Sequence, residues 1–252
     1  MNFRNLLFAL ACVASTTALG LFDEPKIKRS TSTVEGWSLH VNNKLLREDK
    51  AATAKAKKLL KAQLQEITRV VPSEAVTELQ KVPLYFSPEY PDSQQRAEYH
   101  PGAGWLKDNN RDPVMAKAVE FTNIQIFERE TKRMPNFALH ELAHAYHDQF
   151  LPDGFANKDV QAAFERARAA GLYDEVEQRF GDGRSARVKA YAMTNPMEYF
   201  AECSEAFFST NDFFPFNKEE LQKHDPEMFE LLHKLWKCPE EKKAATPSEE
   251  TR

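Results

Sequence analysis

Residues 136–150, NFALHELAHAYHDQF, contain His140-Glu141-x-x-His144, and this spacing constrains the rest of the chain more than any other feature. At about 100° per residue in a helix, His140 and His144 stand roughly 40° apart on one face, one turn apart along the axis. Two imidazoles so placed can reach one metal ion. Glu141 lies about 100° round from His140, beside the ion, where a carboxylate can take a proton from an activated water. With 7 His in 252 residues, on the order of 0.02 accidental matches to this pattern is expected. The competing reading is an amphipathic helix whose polar face happens to carry His and Glu. Pro135 and Asn136 suit a helix start, and Pro152 and Gly154 a stop. Phe137, Leu139, Leu142, Ala143, Ala145, Tyr146 and Phe150 supply apolar surface between them.

A tetrahedral site that keeps one position for water needs a third protein ligand. His147 shares the helix face but sits about 10 Å from His140 along the axis, so it is expected at the surface or behind the ligands. Asp148, four residues after His144, can orient that imidazole or cap an adjacent backbone amide. The better donor is a helix entered through Thr194-Asn195-Pro196, which carries Glu198, Glu202 and Glu205 among apolar neighbours. Glu198 is nearest the entrance, and spacing alone leaves the other two open. Two imidazoles and one carboxylate suit a single Zn2+ ion.

The chain is long enough for one medium domain with a substantial core. A formal net charge of -4 and a mixed Lys/Glu surface give no basic footprint, which sets nucleic acid aside as a partner. Residues 1–20 have the layout of a secretory signal peptide: Arg4, an apolar run over 6–13, then small residues. Cleavage after Ala18 and after Gly20 are both compatible, and lipid modification at Cys12 is a weaker alternative. No later run approaches about 18 apolar residues, so stable membrane insertion is not expected and the location is secreted or periplasmic. The two remaining cysteines, Cys203 and Cys238, are either paired or two separate buried thiols. Oligomeric state is not legible.

The pattern predicts a flexible entry over 22–32, a strand over 37–41, helices over 51–71 and 73–80, and a strand over 82–86. Residues 99–106 suggest a tight loop at a cleft rim, with His100 a structural loop residue. Residues 119–127 alternate well and suit a strand whose free edge could take an extended peptide, or else an interior strand. Helices follow over 160–170, 173–180, 197–208 and 221–236, with residues 188–193 extended and an aromatic loop over 211–217. Residues 239–252 are a polar tail of disordered composition. The expected class is α+β, predominantly helical, with a small mixed sheet beside the helix that carries the histidines.

His140-Glu-Leu-Ala-His144, followed by Tyr191-Ala-Met-Thr-Asn-Pro-Met-Glu198-Tyr-Phe-Ala-Glu202, resembles the catalytic domain of the anthrax lethal factor-like zinc metallopeptidases. The resemblance covers roughly residues 99–236. It implies a zincin-like fold with His140, His144 and Glu198 as zinc ligands and Glu141 as general base. It also implies Tyr191 as donor to the developing oxyanion and Glu202 as a residue supporting the ligands from behind. The expected division is a signal peptide (1–20), an N-terminal strand and helices packed on the core (21–98), a catalytic core (99–238) and the tail. The function implied is a secreted zinc-dependent endopeptidase acting on protein or peptide. The alternative is a secreted zinc-containing binding protein or pseudoenzyme.

Overall fold

The computed structural model describes residues 27–91 and 93–239, so the expected signal peptide and all but the first residue of the polar tail lie outside the described residues. The chain begins with a hairpin, β1 (Arg29–Val34) and β2 (Trp37–Asn42), joined at Glu35-Gly36. Both turn residues have positive φ, 49° and 94°, as a tight two-residue turn requires. A Cβ at Gly36 would lie 2.2 Å from the Gln80 side chain, which donates to the Glu35 carbonyl at 2.9 Å. The entry expected to be flexible over 22–32 lies outside the described residues over 22–26 and is strand β1 from Arg29: its Ser/Thr side chains carry no strand-like alternation of their own, and pairing with β2 decides the conformation.

A short helix α1 (Asn43–Glu48) leads into α2 (Lys50–Val70), whose Ala56, Leu60, Leu64 and Ile67 form one fully buried stripe. Then come α3 (Ser73–Leu79), β3 (Leu84–Phe86), β4 (Ala97–His100), α4 (Ala103–Asp108) and β5 (Ala118–Phe121). The sheet order is β1-β2-β3-β5-β4, with β2, β3 and β5 parallel and the two outer strands antiparallel. The strand expected over 119–127 is therefore short and interior; the outer strand is β4, and the segment expected as a loop over 99–106 holds only the last two residues of β4 and then enters α4. Residues Ile124–Ile126 form a 3-10 turn, and α5 (Phe127–Arg133) follows. His100 is buried against Glu120 at 2.9 Å, in keeping with a structural role.

α6 (Phe137–Phe150) runs through the centre of the molecule, with Phe137, Leu139, Leu142, Ala143, Ala145 and Tyr146 all buried. Its start is fixed by two side chains. Asn136 accepts from the Leu139 amide at 3.1 Å, and Gln63 of α2 accepts from the Ala138 amide at 3.0 Å, so exposed helix N–H groups are satisfied inside the core. Beyond it lie α7 (Lys158–Ala169) and a second hairpin, β6 (Val176–Arg179) with β7 (Ser185–Val188). β6 stands where a helix was expected. It pairs on one side with β7, and on the other the Phe214 amide donates to the Glu177 carbonyl at 2.8 Å, contacts that local spacing does not encode.

α8 (Pro196–Phe208) packs along α6, and the closing segment is two helices, α9 (Lys218–His224) and α10 (Pro226–Leu235). The single helix expected over 221–236 is broken at Pro226, where Asp225 caps the second piece through the Met228 amide. Trp236 stacks on Tyr146 at 4.1 Å and on Phe200 at 5.8 Å, which ties the C-terminal helix to α6 and α8. Cys203 and Cys238 are both free thiols. The chain is thus α+β and predominantly helical, with a small mixed sheet beside α6. Residues 27–98 and the segment after them share this sheet and one hydrophobic core. Among the described residues no helix is long and apolar enough to cross a membrane.

Candidate metal centre

The helical spacing of His140 and His144 brings their Nε2 atoms to 3.1 Å of each other at the floor of a cleft. The third atom comes from α8. Asn195 caps that helix by accepting from the Met197 and Glu198 amides, both at 2.9 Å, and Pro196 is preset for the first helical position. Glu198 therefore sits in the first turn, and its Oε2 lies 3.1 Å from both His140 Nε2 and His144 Nε2.

Three mutually close ligand atoms fit a divalent ion. In a tetrahedral zinc site with bonds of about 2.0–2.1 Å, neighbouring ligand atoms stand about 3.3–3.4 Å apart, close to the separations here. The second nitrogen of His140 supports this. Its Nδ1 lies 2.6 Å from Glu205 Oε1, so the proton belongs on Nδ1 and the Nε2 lone pair faces the cleft. A carboxylate behind a ligating imidazole fixes its tautomer and raises its basicity.

The electrostatics follow from burial and these contacts. Burial opposes a charge on Glu198, yet hydrogen bonds with His140 and His144 outweigh it and hold the carboxyl far below its usual range. Burial likewise opposes the charged form of His140, but its contacts with Glu198 and Glu205 raise its pKa well above the ordinary value, so a metal ion binding at Nε2 displaces a proton there while Nδ1 keeps its own. Behind them, Glu202, Glu205 and Asp212 form a buried acidic group in which burial pushes all three upward, Glu205 to about 7. Arg133 reaches this group through Asp212 at 2.9 Å.

Glu141 borders the same cleft, of about 480 Å³, and its Oε2 accepts from the backbone amide of Tyr99 in β4 at 2.8 Å. Tyr191 enters from the turn before α8, with its hydroxyl 3.4 Å from Glu198 Oε1 and the residue 48 % exposed. Burial and the nearby Glu198 carboxylate raise its pKa, so the phenol keeps its proton as a donor.

Two expected placements change, Asp148 and His147, and one, Glu202, is refined. Asp148 does not orient His144: its Oδ2 accepts from the Tyr99 hydroxyl and from Lys117 Nζ, each at 2.6 Å. Glu202 does stand behind His140, 3.8 Å from its Nδ1, while accepting from Asn211 at 3.0 Å, but the carboxylate hydrogen-bonded to that nitrogen is Glu205. His147 is neither at the surface nor hydrogen-bonded to a ligand. It is 0 % exposed, packed between Phe155 and Phe200, with no hydrogen-bond partner on either ring nitrogen. Glu205 belongs to the acidic stripe on α8 that the sequence shows, whereas nothing in the sequence signals the Tyr99 contact with Glu141.

No curated protein and no solved structure matches the chain. A family model described as glucose-regulated metallo-peptidase M90 matches residues 111–237, half of the chain, and takes in α6, Tyr191 and α8. With two imidazoles and a carboxylate already converged beside Glu141, that match identifies the chain as a member of the M90 metallopeptidase family.

Proposed function

We propose that the protein is a secreted zinc-dependent endopeptidase in which His140, His144 and Glu198 hold one zinc ion and Glu141 is the general base. The observation that carries this reading is the mutual 3.1 Å approach of His140 Nε2, His144 Nε2 and Glu198 Oε2 in an open cleft beside Glu141. A bound zinc supplies Lewis acidity, lowering the pKa of water to about 7 and polarising the carbonyl to be attacked. Glu141 accepts the proton of the attacking water and returns it to the leaving amine. Tyr191, protonated and exposed, donates to the oxyanion as it develops, a contribution on the order of 100-fold in rate.

The outer strand β4 lines the cleft, and an extended peptide can add to its free edge by main-chain hydrogen bonds. This is the role expected of the strand over 119–127, transferred to its neighbour. The likeness to the anthrax lethal factor-like catalytic domain extends to His140, Glu141, His144, Tyr191 and Glu198, and substrate identity is not inherited from it. Export rests on the layout of residues 1–20. The test is cleavage of a broad peptide library by the zinc-loaded protein. Cleavage abolished by a chelator and restored by zinc is expected. A zinc-loaded protein that cuts nothing would reject the reading.

A further inference from the structure

We propose that Tyr99 is a positioning residue for Glu141, a staple that fastens β4 to the active-site helix and holds the base in place. The inference rests on the peptidase reading for the role of Glu141 and on geometry for the staple itself.

The carbonyls of Arg96 and His100 accept from the Thr122 and Lys117 amides at 2.9 and 2.6 Å, so these even-numbered residues face β5. By the alternation of a strand, the amide of Tyr99 points to the free edge. There it meets Glu141 Oε2 at 2.8 Å. The side chain of the same residue runs along α6 and donates its hydroxyl to Asp148 Oδ2 at 2.6 Å, an oxygen also held by Lys117 Nζ at 2.6 Å. Glu141 and Asp148 lie on one helix face about two turns, or about 10 Å, apart. The length of a tyrosine from its backbone nitrogen to its hydroxyl bridges much of that span, and a Phe155 ring packs edge-on against it at 6.4 Å. Tyr99 is 6 % exposed, so its hydroxyl has little water to turn to.

Two consequences follow for the base. Oε2 of Glu141 is held by a main-chain donor whose own position is anchored two turns away, while Oε1 makes no hydrogen bond among the described residues. The carboxylate therefore presents one defined oxygen for proton transfer. The Tyr99 amide is also capped by the base, which leaves the Ala97 amide and carbonyl and the Tyr99 carbonyl as the groups a peptide can pair with on this edge.

A purely structural role predicts something different. Lys117 is half exposed, and a surface pair of that kind contributes little to stability. If the cluster only stabilised the fold, loss of the hydroxyl would lower the melting temperature and leave turnover unchanged.

The experiment compares wild type, Tyr99→Phe and Asp148→Ala, all zinc-loaded, on the library peptide that wild type cuts fastest. Tyr99→Phe is expected to lower kcat about tenfold with KM within about twofold and zinc still equimolar. Asp148→Ala should reproduce the loss, and Asp148→Asn, which keeps an acceptor, should restore most of it. In a Glu141→Asp background, whose carboxylate is one methylene short of the strand amide, Tyr99→Phe should cost less than about twofold further. Amide hydrogen exchange at position 99 gives a readout that needs no activity: it should accelerate about tenfold in Tyr99→Phe. Unchanged kcat in Tyr99→Phe, or unchanged exchange at position 99, would overturn the proposal. A wild type that cuts no peptide would count against the peptidase reading, and exchange at position 99 would still decide whether the tyrosine anchors the base.

Discussion

Glu205 meets His140 Nδ1 at 2.6 Å, and a carboxylate there keeps the imidazole turned so that Nε2 faces the metal position. Glu205→Ala should weaken zinc binding about 10- to 100-fold, read by competition with a chromophoric chelator, with α8 still folded. His147 offers a separate test of pH dependence. Burial, aided by the neighbouring His144, pushes its pKa down to about 4 from the ordinary 6.5. The folded protein keeps it neutral while the unfolded chain takes up a proton below pH 6.5, so stability falls as pH drops from 6.5 towards 4 and this contribution levels off below that. The 2.5-unit difference, 6.5 minus 4, corresponds to about 3 kcal/mol at most. His147→Phe should flatten the fall of unfolding free energy across that window, and an unchanged slope would remove His147 as its source. His140, Glu141 and His144 are legible in the sequence because one helical turn places them, independent of the rest of the fold. Tyr99 is not legible, because its contact with Glu141 depends on how β4 docks against α6.

At the scale of elements, the site depends on helix entrances as much as on ligands. Asn195 holds the first turn of α8, and Glu198 is in that turn. Asn195→Ala should cost about 1 kcal/mol of stability and also weaken zinc binding, whereas Asn217→Ala, at the entrance of α9, should cost a similar amount and leave zinc binding unchanged. Equal zinc affinity in the two variants would contradict the link between cap and ligand. The long helices were readable because α2, α6 and α8 carry apolar residues at helical spacing over several turns. The short strands were not. β1 and β4 carry weak patterns of their own, and β6 reads as helix in the sequence because Tyr173, Val176 and Phe180 fit helical spacing as well as a hairpin.

In the whole molecule, α6 is packed against the sheet, α2 and α8, so the proposed ligands on α6 and α8 join two halves of one core. A metal that bridges them must stabilise the folded chain. At a free zinc concentration of 100 times Kd the gain is about 2.7 kcal/mol, and the melting temperature should fall by about 5–10 °C on chelation. His144→Ala should remove most of that difference. In the proposed mechanism Glu141 performs the chemistry while His140, His144 and Glu198 hold the ion. Turnover of a library peptide by Glu141→Gln, measured beside its zinc content, tests this most directly. One equivalent of zinc with loss of peptide cleavage is predicted, and full cleavage by that variant would contradict the account.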